Sequence, residues 1–414
     1  MMIDDLSNDM LREILCRLPC YRTALGCKTV SKWWCSLISD PLFVTQGFLT
    51  KRQVIEKEAS FIFLLTSKNW DNKYATVMVA PPCFQRTTLW SPILSLQFLP
   101  FHSKPVATFK DLILSFGVNP LTGLGMFYIC NPLTKQWMVL PPSQEVHQKE
   151  VIWAALAYLD GHGGFRVVVA HSQPYPSYFT DPFRMVNLLI YISETSEWRN
   201  IDVKLQVKPS NDGYYVLDTN CKTFKGVVCK GMVYILLGPH FGVLNPFDVT
   251  DTFSGTLMAK PLPTPNQDNV YTFLESGGKL VACQNDTCIS VGKTYNYFSH
   301  PWRNWKFDVR LENDEQVVVE WKLISKFYIF SRVKGYISND SSKSSVDDYI
   351  VKVVGVHPTN ETLIYFISDQ NQLILFDTKS EALEVLTTTL LPHAIWNSYK
   401  LDIPSWPTPI PIGP

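Results

Sequence analysis

The sequence lacks an excess of charge of either sign: Lys plus Arg and Asp plus Glu each total 37 among its 414 residues. With no net positive field to gather phosphates, nucleic acid is not an expected partner. Long apolar runs are missing too. The longest, Val151 to Leu159, is bounded by Glu150 and Asp160 and is too short to span a bilayer, so no membrane segment is expected. The start, Met1-Met2-Ile3-Asp4-Asp5, has neither the basic residues nor the apolar core of a secretory leader. The ten cysteines show no paired spacing. Without a leader they read as reduced thiols packed as small apolar groups, which points to cytosol or nucleus. The Asn-x-Ser/Thr triplets at Asn285, Asn339 and Asn360 need the secretory pathway to matter, and so carry no weight.

Glycine is sparse where phosphate chemistry would need it. Gly277-Gly278-Lys279-Leu280 has no upstream glycine and no following Ser or Thr, and Gly123-x-Gly125 has no dinucleotide context; neither is read as a nucleotide site. Cys283 and Cys288, or Cys16, Cys20, Cys27 and Cys35, form no two close pairs of the kind that hold zinc. The eight histidines are dispersed, and nothing local marks a nucleophile with its base. No cofactor or metal is therefore expected. A catalytic set assembled from distant parts of the chain stays open.

What is present divides at about residue 50. From Leu6 to Ile38 the apolar pattern has helical period. With Met10 at zero, Ile14, Leu18, Leu11 and Leu15 fall within about 140° of arc on one side of a helix, while Arg12 and Glu13 point away. Ser7 can accept a hydrogen bond from a first-turn amide, Asp9 suits the positive helix end, and Pro19 stops the run. A second short helix is expected over Thr23 to Thr29. Val30, Trp34, Leu37 and Ile38 then share a further helical face, ended by Ser39-Asp40-Pro41. Three helices in so few residues bury little apolar surface against the chain entropy, so such a unit needs a partner or a docked neighbour.

Leu6, Glu13-Ile14-Leu15, Arg17-Leu18-Pro19, Val30-Ser31-Lys32-Trp33-Trp34 and Leu37-Ile38-Ser39-Asp40-Pro41-Leu42-Phe43 together resemble an F-box, in the form found in plants. Two positions depart from it: Ser7 stands where the family has Pro after its first Leu, and Gly26 weakens the middle helix. The resemblance implies docking onto a Skp-family adaptor and, through it, a cullin. The residues that match the motif for this contact are Leu6, Ile14, Leu15, Leu18, Pro19, Val30 and Trp34. Some of them must instead fill the small core among the three helices.

After Lys51 to Glu58, β-rich runs alternate with turn residues: Phe61 to Leu65, Leu112 to Phe116, Phe165 to Val169, Gly231 to Leu236 and Leu363 to Ile367. One phrase recurs: a strand, an Asx or Ser/Thr turn, then a strand that opens on Trp or an aliphatic residue and closes on proline. Tyr128 to Trp137 before Pro141-Pro142 is the clearest case; Tyr191 to Trp198, Val243 to Phe247 and Leu375 to Lys379 vary it. Closers at Pro82, Pro142, Pro263 and Pro392, with weaker ones near Pro209 and Ser325, mark a unit of about 60 residues, a repeat suited to blades around an axis. Plant F-box proteins commonly carry a C-terminal F-box-associated or kelch-like β domain, and this arrangement is similar. The kelch signature itself is poor: the double glycines, Gly163-Gly164 and Gly277-Gly278, read equally as hairpin turns.

The expected fold is thus mainly β with a small all-α N-terminal module. Residues 4–47 form a three-helix F-box and residues 60–400 a six- to seven-bladed β-propeller, with an irregular set of β-sandwiches as the alternative. The expected role is substrate recognition in a Skp, cullin and F-box ubiquitin ligase, without catalysis in this chain. Rigid aromatics and Arg suit interface centres, and on that ground Tyr175, Tyr178 and Phe179, with Tyr297, Trp302 and Arg303, are the candidates for holding the target protein; inter-blade packing is the plainer reading of each. Ser338 to Asp348 reads as a solvated loop. A propeller enzyme of sugar-processing or galactose-oxidase type would show a titratable cluster at the propeller mouth, and an adaptor an apolar, aromatic one. An F-box regulator that does not lead to ubiquitination is the third reading.

Overall fold

The computed structural model describes residues 6–18, 21–40, 42–43, 61–68, 74–79, 96–100, 103–143, 151–158, 164–171, 178–179, 183–206, 215–216, 226–237, 240–248, 256–258, 260–261, 269–276, 279–286, 302–312, 316–327, 352–357, 360–367, 372–386, 395–402 and 408–410. Pro19, Tyr175, Tyr297, Gly277-Gly278 and Ser338 to Asp348 lie outside them. For Tyr178, Phe179, Trp302 and Arg303 only the backbone is described.

Three short helices come first: α1 (Asn8–Cys16), α2 (Tyr21–Cys27) and α3 (Lys32–Ser39). Ser7 caps α1 by accepting from the Met10 amide at 3.3 Å, and Ser31 caps α3 by accepting from the Trp34 amide at 3.1 Å, each satisfying a donor the first turn leaves free. The middle helix begins two residues earlier than its apolar pattern suggests and runs through Gly26.

The rest is sheet. The strands β1 (Phe61–Lys68) and β2 (Tyr74–Val79) come first. Four strands follow in order: β3 (Ser103–Phe109), β4 (Leu112–Val118), β5 (Gly125–Asn131) and β6 (Gln136–Val139). The next sheet holds β7 (Val151–Tyr158), β8 (Phe165–His171), β10 (Phe183–Ile192) and β11 (Glu197–Gln206). Short β9 (Tyr178–Phe179) and β12 (Tyr215–Val216) pair with each other. Then come β13 (Gly226–Cys229), β14 (Met232–Leu237), β15 (His240–Leu244) and β17 (Lys260–Pro261), while β16 (Thr256–Met258) leaves to pair in parallel with β11. Two further sheets are β18 (Asn269–Ser276), β19 (Lys279–Asp286), β20 (Trp302–Glu312) and β21 (Gln316–Phe327), and β22 (Lys352–Val356), β23 (Leu363–Ile367), β24 (Leu373–Asp377) and β25 (Leu383–Val385). Last, β26 (Ile395–Asp402) pairs with β1, giving the order β2-β1-β26.

The first strands of these sheets pack side by side in cyclic order: β3 on β7, β7 on β13, β13 on β18, β18 on β22, β22 on β26 and β26 back on β3. This is a β-propeller, closed by a sheet built from both ends of the β region. Among the described residues six sheets stand in the ring. The ring removes the free sheet edges that an open array would expose.

The five β-rich runs singled out in the sequence are each the second strand of their sheet: β1, β4, β8, β14 and β23. Such a strand has neighbours on both edges and sheets on both faces, so it has no solvent side and does not alternate. In β4 all residues from Leu112 to Gly117 are buried, Ser115 included. The recurring phrase is likewise the turn between third and fourth strands. Asn131 accepts from the Leu133 amide, Asn245 from the Phe247 amide and Asp377 from the Lys379 amide, the Asx turns the sequence implies. A residue in the left-handed region of φ closes three such turns: Lys135, Ser196 and Glu381.

The 60-residue period also has a structural meaning. The last strands end at Val139, Gln206, Pro261, Phe327 and Val385, with β2 ending at Val79, just before or beside each expected closer. The first strands begin at less even intervals, at Ser103, Val151, Gly226, Asn269, Lys352 and Ile395, because the chain between blades varies in length.

Candidate functional site

Two surfaces stand out, and they lie on one face of the molecule. The first belongs to the helices. Leu11 and Leu15 are 1% exposed and pack with Cys16, Ala24, Leu37, Ile38 and Phe43. Across the same apolar arc of α1, Met10 and Ile14 remain 53% and 49% exposed, and Val30 61%. The arc is therefore wider than the small core requires: one half closes the module and the other faces outward. Leu6, Leu18 and Trp34 are half-buried at the margin of this core. Of the seven residues matched to the F-box contact, then, Ile14 and Val30 are outward, Leu15 is a core residue, three are marginal and Pro19 is outside the described residues.

Arg12 departs from the pattern read along the helix. It does not face open solvent: its Nη2 donates to Asp40 Oδ2 at 2.7 Å and clamps α1 to the end of α3, while the Asp40 Oδ1 accepts from the Leu42 amide at 2.9 Å. Trp33 Nε1 donates to Asn8 Oδ1 at 2.7 Å and fixes the other end. The apolar phase of a helix says which side is dry, but not that a long polar side chain will reach across to a neighbouring element.

The helices meet the propeller through Leu133, which lies in the β5–β6 turn and packs against the helical core. Asn131 organises that turn with both ends of its amide. Its Oδ1 accepts from the Leu133 and Thr134 amides, and its Nδ2 donates to Asp111 Oδ2 at 2.7 Å and to the Thr408 carbonyl at 2.8 Å. Thr408 in turn donates its amide to the same Asp111 oxygen at 2.8 Å, and Ile410 packs on the core between the first two blades. Burial pushes the Asp111 carboxyl above the usual carboxylate range, against the opposing pull of the Thr408 and Asn131 hydrogen bonds. The C-terminal segment, the first blade and the helical module thus share one polar hub.

The second surface is the mouth of the central channel. In an antiparallel blade the turns after the first and third strands fall on the same edge, so the Lys110-Asp111 turn and the Asn131 to Gln136 turn share a face, as their hydrogen bond confirms. A cavity of about 270 Å³ opens there. Small and apolar residues wall it: Ala107, Ala155, Leu156, Val227, Val354 and Gly355. Lys110, Lys230, Lys400 and Asp402 are its charged lining. Lys400 Nζ lies 3.2 Å from Asp402 Oδ1.

Both signs set for the mouth are present in part: the wall is apolar and includes the aromatics Phe109 and Tyr399, and the lining also carries the titratable Lys110, Lys230, Lys400 and Asp402. The side chains of the six candidates for holding the target, Tyr175, Tyr178, Phe179, Tyr297, Trp302 and Arg303, lie outside the described residues. The lysines carry no local signature in the sequence, although Lys230-Gly231 between two apolar runs is a hairpin signal that would have placed one of them on a rim.

A closed ring of sheets carried behind three short helices, with an apolar helix face left outward, defines a propeller protein with a small helical module. The chain belongs to the plant F-box proteins with a β-propeller: the family described as "F-box protein At3g26010-like, beta-propeller" matches residues 106–393. It is similar to F-box protein At3g57590 of Arabidopsis thaliana, with 28% identity over 146 residues that cover 34% of this chain and 32% of that protein. The chain thus spans about a third of the length of the curated relative it matches. Among solved structures it is similar to TolB from Acinetobacter baumannii, with TM-score 0.37 and 9% identity over 87% of this chain and 73% of that one. It is also similar to the β-propeller domain of the Trilobed protease from Pyrococcus furiosus, with TM-score 0.32 and 8% identity over 80% and 84%. These two structures are too distant to bear on function.

Proposed function

We propose that this chain is the target-recognition subunit of a Skp, cullin and F-box ubiquitin ligase. In this reading α1 to α3 are the F-box and dock on a Skp-family adaptor, and the propeller, complete with six blades, holds a target protein. The observation that carries it is the divided face of α1. An isolated globular unit gains by burying Met10 and Ile14; leaving them outward on a helix whose other half is closed is what a helix-in-groove contact needs. Val30 adds to that face, with Leu6, Leu18 and Trp34 at its margin. No chemistry is required of the chain itself. Holding a target beside a separate transferring enzyme raises its effective concentration, which is the whole contribution of a receptor subunit. The reduced cysteines suit the cytosol or nucleus as its place of action.

Tagged full-length chain, purified from plant cells and analysed by mass spectrometry, should carry a Skp-family adaptor and a cullin. The same preparation of the Ile14→Asp protein should lose both while keeping target proteins bound to the propeller. Recovery of other partners by both proteins, with adaptor and cullin absent from each, would remove the ligase reading.

A further inference from the structure

The segment beyond β26 returns to the first blade and seats on a buried carboxylate. Asp111 is fully buried, although it lies in the turn between β3 and β4, and a hairpin turn ordinarily faces water. Among the described residues its donors are Asn131 and Thr408: the Asn131 Nδ2 stands 2.7 Å and the Thr408 amide 2.8 Å from the same oxygen, Oδ2. Its Oδ1, like the nearby Tyr158 hydroxyl, is buried without a hydrogen-bond partner. Burying a carboxylate against neutral donors, with one oxygen idle, is costly, because a charge taken out of water needs a full set of strong partners. That cost falls on the seated state alone. When residues 408–410 lift, Asp111 loses the Thr408 donor but regains water, so hydration offsets much of the lost contact. A contact of this kind lies close to balance between two positions.

The same seat carries the helical module. Asn131 uses its Nδ2 on Asp111 and on the Thr408 carbonyl, 2.8 Å away, and its Oδ1 on the Leu133 and Thr134 amides. One planar amide thus fixes the segment and the β5–β6 turn together, and a shift of either disturbs the other. Leu133, in that turn, packs both on the helical core and on the propeller core that includes Ile113, Tyr128 and Leu401. Ile410 is the apolar anchor of the segment, set on the core shared by β4, β5, β7 and β8. We infer that residues 408–410 are a releasable strap: seated on Asp111 and Asn131 they hold the β5–β6 turn in the shape that grips the helices, and lifted they free the module to move on the ring. The inference rests on the packing of Leu133 and is independent of what the helices dock onto.

Hydrogen exchange of the full chain, read by mass spectrometry, tests this with two substitutions of opposite expected effect. Ile410→Asp removes the apolar anchor and should lift the strap. Exchange at Leu133 and Thr134, whose amides Asn131 holds, and across α1 to α3 should then quicken by about tenfold or more, while β4 and β8 keep their protection. Asp111→Asn keeps an oxygen for both donors and removes the buried charge, so the strap should be held at least as firmly and exchange at the same turn should stay the same or slow. A segment that only fills the core predicts something else: both substitutions would loosen the first two blades as a whole. Unchanged exchange at the turn and the helices in Ile410→Asp, faster exchange there in Asp111→Asn, or protection lost in β4 and β8 along with the turn would each overturn the proposal.

Discussion

Replacing Ile14 with Asp should weaken adaptor binding by two to three orders of magnitude while leaving the chain folded. Ile14 is half exposed on α1, so the substitution costs little within the free protein, where the carboxylate can stay hydrated. In a dry helix-groove contact the loss has two parts. The apolar transfer energy of the half that is still exposed amounts to about 1–1.5 kcal/mol, and the desolvation of an unpaired carboxylate adds at least about 2 kcal/mol. At ~1.4 kcal/mol per tenfold these reach a hundred- to thousandfold loss. Ser36→Asp, at an exposed position of α3, adds the same charge and should change affinity much less. Arg12→Asp is not a suitable control. It breaks the Arg12 pair with Asp40 and sets two carboxylates together at the α1–α3 junction, so it would loosen the module itself. If Ile14→Asp and Ser36→Asp weakened binding equally by titration calorimetry, the assignment of the outward face would be wrong.

Phe63→Ala should be the most damaging single truncation in the propeller. Phe63 lies in β1, the middle strand of the sheet that closes the ring, and is fully buried. Its ring centroid stands 5.3 Å from that of Phe61 and 5.0 Å from that of Tyr365, so it joins the closing sheet to its neighbour. Removing a buried Phe side chain costs about 3–5 kcal/mol, here at the seam where the two ends of the ring meet. For a domain of this size that lowers Tm by roughly 5–10 °C.

The same ring explains Gly355. A Cβ there would sit 2.3 Å from Phe63 Cε1 and 2.6 Å from Cζ, so Gly355→Ala should cost about 1–3 kcal/mol by overpacking. The two changes share one space, and the methyl added at 355 would enter the cavity left at 63. Their combined loss should therefore fall short of the sum by more than about 0.5 kcal/mol. Thermal and denaturant unfolding of the four proteins measures this. Strict additivity would mean that the Phe63 ring and Gly355 do not pack as described.

The parts of the fold that were legible in the sequence are those set by neighbours along the chain. The Ser7 cap, the stop near Asp40 and the Asx turns at Asn131, Asn245 and Asp377 are local hydrogen-bond chemistry. The blade ends were legible where the last strand gives way to a proline-bearing segment, as after β2, β6, β11, β17 and β25, but not after β21, which no proline follows before the next blade. The second-strand runs were visible as apolar, although their lack of alternation has meaning only once sheets cover both faces. What was not legible depends on ring closure. Nothing near Lys110, Lys230 or Lys400 says that they line one cavity, and nothing near Asp111 says that Thr408 will reach it from the far end of the chain. The parallel pairing of β16 with β11, a sheet away from its sequence neighbours, is long-range in the same sense. On the helices, the periodicity gave the apolar arc of α1 but not its division into a buried half and an outward half, because that division depends on how much surface α2, α3 and Leu133 can cover.

The most direct measurement is the affinity of a purified Skp-family adaptor for the full chain and for a chain lacking residues 1–49, read by titration calorimetry with circular dichroism on both. Leu133 is the described propeller residue in the helical core, and β1 begins beyond the cut at Phe61, so the shortened chain should keep its β signal and a cooperative melt. The account predicts tight binding by the full chain and none by the shortened one. Adaptor binding that survives the deletion, or a full chain that folds but does not bind any Skp-family adaptor, would contradict it.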